Sequence, residues 1–490
     1  MSGSGRIGRG VALIGGAVLT AALWCSGAQA QDFEPNAPIA MSPVIPADVD
    51  PAIRNRLLAD GDLLMAHRLF ERQQWTAFIA LNWPIGEDDT PLAAVGDEGD
   101  PYWSSWIEIY QVYKPGGAEP DAWGAKTRSL PHAGLVQKPL PSDVAPAGYP
   151  ALDSGDARVL HNLSSTLQRA DVARESDQAF SFTVYDQYGK PAYYESLINK
   201  IEYDLIVDNG LYHAGGLAEY IAENGPLSFP SGKFDGNQHG AIELKVAWRI
   251  LDPAKDDFSR YLTQPAYLPS GDNPPVWVPV TVGMVGFHIA QKTETSPQWI
   301  WSTFEHIDNV NVNRLKEITT EDGSKRRLQA SFNDADCEWC PVNVPVEPDE
   351  YGVRRTQVTR LVEIPKETAD LNAMVRAQLA KAGSKLQYYE MIGVQWPTQP
   401  DAPKQAGAAF PGAVVNLSGG VPLMKYLANS VMETFSQVGN APANRQQRSV
   451  STSDRMVFGT GSCIGCHSSS PYDFSWIITK AEPKTSELAE

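Results

Sequence analysis

Cysteine and histidine are both scarce in this chain, five and eight residues among 490. A small scaffold stapled by disulfides is therefore excluded, since such folds are dense in cysteine. Positive charge is short as well, 40 Lys and Arg against 58 Asp and Glu, for a formal charge of −18. That balance repels phosphate backbones and anionic lipid, so nucleic acid is not an expected partner and a basic protein is the kind the charge favours. After the first 30 residues no apolar run approaches the roughly 20 residues a membrane-spanning helix needs.

What is present begins with "MSGSGRIGRGVALIGGAVLTAALWCSGAQAQDF". Arg6 and Arg9 precede an apolar stretch from Val11 to Cys25, and Ala28-Gln29-Ala30 closes it. Charged, apolar and small-residue regions in that order predict a secretory signal peptide over residues 1–30, cleaved after Ala30, and so a periplasmic protein with no stable membrane insertion. Cleavage would remove two arginines and no acid, leaving 38 basic against 58 acidic side chains and a charge of −20.

Loss of Cys25 leaves two pairs of equal spacing, Cys337/Cys340 in "DADCEWCPVN" and Cys463/Cys466 in "GSCIGCHSS". Only the second is followed by histidine. Cys-x-x-Cys-His is the attachment signature of a c-type haem, in which two thiols add to the porphyrin vinyl groups and the adjoining imidazole binds iron. One covalent haem is expected, on Cys463, Cys466 and His467. A local disulfide with His467 as bystander is the plainer alternative. A zinc site joining both pairs is disfavoured, because 122 residues lie between Cys340 and Cys463 and zinc ribbons separate their pairs by roughly 15 to 20. Cys337 and Cys340 are expected to form a disulfide in an oxidising compartment.

Only 23 residues follow His467, with neither Met nor His among them. A second iron ligand is thus expected from upstream. Met456 is close in the chain, while His288 and His306 lie in apolar strand-like segments, with Met284, Met424 and Met432 behind them. His306 is flanked by Glu305 and Asp308, so Glu305 and His306 are also acid/base candidates should the sixth iron position be open.

Upstream, periodicity predicts helices at both ends and strands between. Residues 51–84 carry Leu63, Leu64, Leu69, Phe70, Phe78 and Leu81 at helical spacing, closed by Pro84; 194–210 and 422–437 read as further helices. Residues 240–251 alternate Ile242, Leu244, Val246, Trp248 and Ile250 with Glu243, Lys245 and Arg249, a half-buried strand. "WVPVTVGMVGFHIAQKT" and "QWIWSTFEHIDNV" predict a buried antiparallel hairpin, and 385–397 another strand. Gly and Pro break up residues 114–157. The expected fold class is α+β: a large antiparallel-sheet body with flanking helices and long loops over 31–440, then a linker and haem-attachment segment over 441–490 packing on that body.

With "GMVGFHIAQKT", "QWIWSTFEHIDN", "TQVTRLVEI" and "CIGCH" followed by "DFSW", the chain resembles a group of exported bacterial single-haem proteins known as cytochrome c family proteins. The resemblance covers most of the mature chain. It implies haem thioethers at Cys463 and Cys466 and iron ligation by His467, and it implies no substrate. Three function classes stay open: electron transfer to a redox partner protein, a haem oxidoreductase acting on peroxide, dioxygen or an organic substrate, and a tryptophan-rich binding module.

Overall fold

The computed structural model describes residues 33–125, 158–160, 183–269, 277–337, 339–347, 352–361, 363–403, 418–435, 437, 462–468 and 470–486. The signal-peptide segment 1–30 and Met456 lie outside the described residues, as do most of the 114–157 excursion and the 441–461 linker.

Two helices open the chain, α1 (Pro51–Ala59) and α2 (Leu63–Leu81). They replace the single helix expected over 51–84. Asp50 and Asp62 each cap a helix through a side-chain oxygen, and between them Gly61 takes φ 74°, a left-handed turn that favours glycine. The strands β1 (Pro84–Ile85) and β2 (Asp100–Pro101) form a small ribbon, followed by β3 (Ile107–Glu108) and the one-turn α3 (Ile109–Val112). Next come β4 (Tyr193–Ile198), α4 (Lys200–Asp208), α5 (Ala214–Asn224), β5 (Ile242–Ile250), β6 (Thr263–Pro269), β7 (Trp277–Gln291) and β8 (Ile300–His306). A second ribbon, β9 (Glu317–Thr319) and β10 (Lys325–Arg327), precedes α6 (Lys366–Lys381), β11 (Tyr389–Pro397), β12 (Pro422–Leu423) and α7 (Cys463–His467).

The main sheet is antiparallel and runs β12-β11-β8-β7-β5-β4-β3, with β6 also paired to β7. The α+β expectation therefore holds, and so does the β7/β8 hairpin, in which His288 faces Thr303 and Ala290 faces Trp301. Of the predicted helices, that over 194–210 is helical only in its second half and that over 422–437 does not form. Residues 193–198 are strand β4, paired residue for residue with β5, and the helix starts only after Asn199, whose side chain caps it. Residues 422–435 do not coil: Leu427, Val431 and Phe435 are buried as a helical stripe would bury them, but the chain runs over the sheet in irregular turns. Its polar backbone is taken up by sheet side chains instead, as where Ser430 N donates to Glu305 and the Gln395 amide to Met424 O.

One sheet face carries the apolar core. Leu244, Val246, Phe287, Ile289, Phe304 and Val394 pack under α2 and α6; Phe78 stacks on Phe304 at 4.0 Å and Phe70 on Trp396 at 4.3 Å. The predicted split of β5 into a wet and a dry face needs correction at Arg249, which is buried between Asp186 and Asp256. The other face holds a second apolar cluster in which Ile464, Ile477 and Ile478 of the chain's last part join Trp299, Trp301 and Ile198. Ile464, Ile477 and Ile478 thus lie against the sheet's second face.

Candidate functional site

The helix α7 is only one turn long, and side chains of the body fix it. Ser462 caps it by accepting from Gly465 N at 3.1 Å. Gln395, from β11, accepts from Ile464 N at 2.9 Å and donates to Ser462 Oγ at 2.8 Å. Cys463 and Cys466, both on this turn, are in no disulfide, and Cys463 Sγ lies 3.6 Å from Leu427 O. Burial, with Glu433 nearby, pushes the Cys463 thiol far up and Cys466 to about 12. Both are therefore thiols rather than thiolates at neutral pH, unlike the low-pKa cysteines of dithiol oxidoreductases.

His467 packs against Trp301 with ring centroids 4.1 Å apart and the rings tilted by 41°, and its Nδ1 lies 2.7 Å from Phe474 O. A carbonyl only accepts, so Nδ1 carries the proton and Nε2 keeps its lone pair in the neutral ring. Burial lowers the imidazole to about 4, which keeps it neutral. The carbonyl is aimed by a tight turn in which Asp473 and Phe474 take φ 49° and 68°. Asp473 anchors that turn: its carboxylate accepts from Phe229 N at 2.7 Å and pairs with Lys292, and its carbonyl accepts from Trp299 Nε1 at 2.9 Å.

Facing α7, the sheet presents two rows of side chains drawn from consecutive strands. Directly paired residues share a face, which aligns Ser196, Lys245, His288, Thr303 and Gly393 in one row and Ile198, Glu243, Ala290, Trp301 and Gln395 in the next. Ser196, Glu243, Lys245 and His288 stay half-buried in mid-strand, whereas the residues between them on the opposite face are fully buried. Half-buried too are Cys463, Cys466, His467 and Glu433, and the charges of Glu433 and Lys245 bear on both Cys466 and His467. Motif and sheet thus face one another across a water-reachable hollow.

His288 Nε2 meets Glu433 Oε1 at 3.0 Å, and Glu433 Oε2 accepts from Asn429 N at 2.6 Å. Burial works to raise the Glu433 carboxyl, but His288, Lys245 and the Asn429 N–H outweigh it and hold the group below its usual value. The segment carrying Glu433 lies close because small residues let it: a Cβ on Gly393 would strike Met424, and one on Gly286 would press on Met432 and Asn429.

His306 is placed elsewhere. Three residues beyond Thr303 in β8, it points to the opposite face, fully buried, stacked on Tyr261 at 4.2 Å. Its Nε2 donates to Arg260 O at 2.9 Å and its Nδ1 accepts from Asp308 N at 3.2 Å, so both ring nitrogens are taken. Glu305 is engaged by Ser430 and Arg360. Met284 is sealed in the core and Met432 is buried, while Met424 sits over Gly393. Of the ligand candidates within the described residues, His288 is the one brought to the motif.

Cys337 and Cys340 are bonded to each other, with Cα atoms 5.4 Å apart. Their sulfurs are not available to a metal site shared with Cys463 and Cys466. Among the described residues no group of three or more His, Cys, Asp or Glu is arranged to hold a bare metal ion.

Lys245, Glu433, Trp301 and Phe474 were missed as site residues by reading the sequence. "DFSW" offered a partial signal, since it contains the carbonyl that fixes His467. No family model, curated protein or solved structure matches this chain, so the functional reading rests on the residues themselves.

Proposed function

We propose that this chain is an exported c-type haem protein that carries single electrons, with Cys463 and Cys466 as its covalent attachment points and His467 as an iron ligand. The observation that carries the reading is the His467 ring, held in one neutral tautomer by Phe474 O with Nε2 left to coordinate. Fixing a ligand histidine through its other nitrogen is what a haem iron site asks of its protein. The residues around it fit the group: two thiols on the same turn that are not joined in a disulfide, and a hollow walled by Trp301, Ala290 and the half-buried His288 and Lys245. A bound haem would supply one-electron exchange between ferric and ferrous iron. The chain's own residues orient the imidazole, limit water and keep Glu433 charged beside His288. The acidic balance of the chain, −18 overall, favours a basic redox partner through long-range attraction.

The test is to purify the protein from a host that matures c-type cytochromes, denature it and extract with acid-acetone. Colour that stays with the polypeptide supports the reading; colour that leaves, or zinc in its place, overturns it.

One observation favours a haem oxidoreductase instead. His288 gives its Nε2 to Glu433 at 3.0 Å, and a histidine–carboxylate pair beside the motif is the kind of group that moves protons to and from a substrate. A high-spin iron that binds cyanide within seconds, with peroxide turnover lost in His288→Ala, would select this reading. A low-spin iron indifferent to cyanide would exclude it.

A further inference from the structure

Beside the hollow, one buried polar group is used by nothing described so far. Glu202, in the first turn of α4, is fully buried, and Glu243, from the sheet row that contains Trp301, faces it. Among the described residues no donor reaches either oxygen of Glu202 or Oε1 of Glu243. A buried carboxylate without a donor costs several kcal/mol, and two of them facing each other cost more. The arrangement becomes sound once a single proton lies between them, because a carboxyl then donates to a carboxylate.

The pair has a route to the motif. Ser475 lies beside Glu243 and acts on it, and the preceding residue is Phe474, whose carbonyl holds His467. Glu243 is half-buried, whereas Glu202 is sealed. Among the described residues, the titratable groups facing the pair are the Tyr113 hydroxyl, which has no hydrogen-bond partner there, and Asp473, itself paired with Lys292; Lys245 lies two residues further along β5.

We propose that the Glu202–Glu243 pair is a proton-binding site that gains a second proton when an electron enters the neighbouring redox site and loses it when the electron leaves. The coupling rests on the haem reading; the shared proton does not. In the step, one electron arrives from a one-electron donor protein and one proton from water. An O–H bond forms on the Glu243 carboxylate and one O–H bond of the donating hydronium breaks. The charge around the hollow is unchanged, which removes the cost of adding an electron in a poorly solvated place. Burial raises both groups in support of this, Glu202 well above the usual range and Glu243 to about 7, with Asp473 adding to the push on each.

Two measurements separate the parts. Infrared spectroscopy of the full chain at neutral pH is expected to show the C=O stretch of a buried protonated carboxyl, lost in the double variant Glu202→Gln/Glu243→Gln. Its absence from the wild type overturns the proton site whether or not haem is bound. Redox titration is expected to show the reduction equilibrium shifting about tenfold per pH unit around neutrality, one proton per electron, and becoming flat in Glu243→Gln. A flat wild-type profile with the band present overturns the coupling alone. A chain without covalent haem that keeps the band overturns the function proposed above and the coupling with it, while the shared proton stands.

Discussion

The two Cys-x-x-Cys segments share a spacing and little else. Cys337 and Cys340 lie in an exposed turn, with Trp339 between them 81% exposed, and they have closed on each other. Cys463 and Cys466 lie on a helical turn pinned by Ser462 and Gln395, beside Trp301 and His467, and remain thiols. Spacing alone therefore does not decide a cysteine pair's fate. What surrounds the second pair does: a sheet face that presents polar side chains across a hollow and a histidine whose free nitrogen is Nε2.

The comparison breaks most sharply by mutation of one pair at a time. Cys463→Ala/Cys466→Ala is expected to abolish covalent haem altogether, whereas Cys337→Ala/Cys340→Ala should leave the haem-to-protein ratio of purified material unchanged. Equal losses in both variants would erase the distinction.

The wall of the hollow comes next. Trp301, 5% exposed, supports the His467 ring, and Trp301→Ala is expected to cost about 3–5 kcal/mol in denaturant unfolding, as large aromatic deletions do. A cost below about 1 kcal/mol would mean that the second cluster does not hold α7 against the body.

Acid should separate the two segments as well. Burial lowers His467 and His306 to about 4, so the folded state prefers them neutral. The unfolded chain takes up protons once pH falls below about 6.5, and stability is lost between there and about 4. For fully buried His306 the loss reaches about 3 kcal/mol. In the haem-free Cys463→Ala/Cys466→Ala variant, hydrogen exchange over 462–476 is expected to accelerate through this window and exchange over 334–343 to stay level. The opposite order would place the acid-sensitive contact elsewhere.

The smallest effect belongs to the disulfide. It closes a four-residue loop, for which chain entropy gives about 2 kcal/mol at most, so Cys337→Ala/Cys340→Ala should shift the unfolding midpoint only slightly. A large shift would make that loop a structural staple.

Much of this was legible where the signal is local. Cys-x-x-Cys-His is read from five adjacent residues, and the β7/β8 hairpin from two apolar runs joined by a short polar break. The hollow is different in kind. Lys245, His288 and Thr303 meet because three strands pair in one register, and that register is a property of the assembled sheet. His306 shows the same limit from the other side: it sits in the same strand as Thr303, but three residues on, an odd step that turns it to the other face. The stripe Leu427, Val431, Phe435 read as helical because it is buried at that spacing, yet the sheet's own polar groups compete for the backbone and hold it in turns. The helices α5 and α6 went unread, and α6 is the clearer loss, because Leu371, Val375 and Leu379 are buried at helical spacing.

The central claim is that the second pair holds haem and the first does not. Mass spectrometry of the intact mature chain, followed by digestion, tests it directly. The account predicts a mass increase of one haem carried on the peptide containing Cys463, Cys466 and His467, with Cys337 and Cys340 linked to each other. An unmodified peptide there, or a Cys463–Cys466 disulfide in protein from a maturation-competent host, would contradict it.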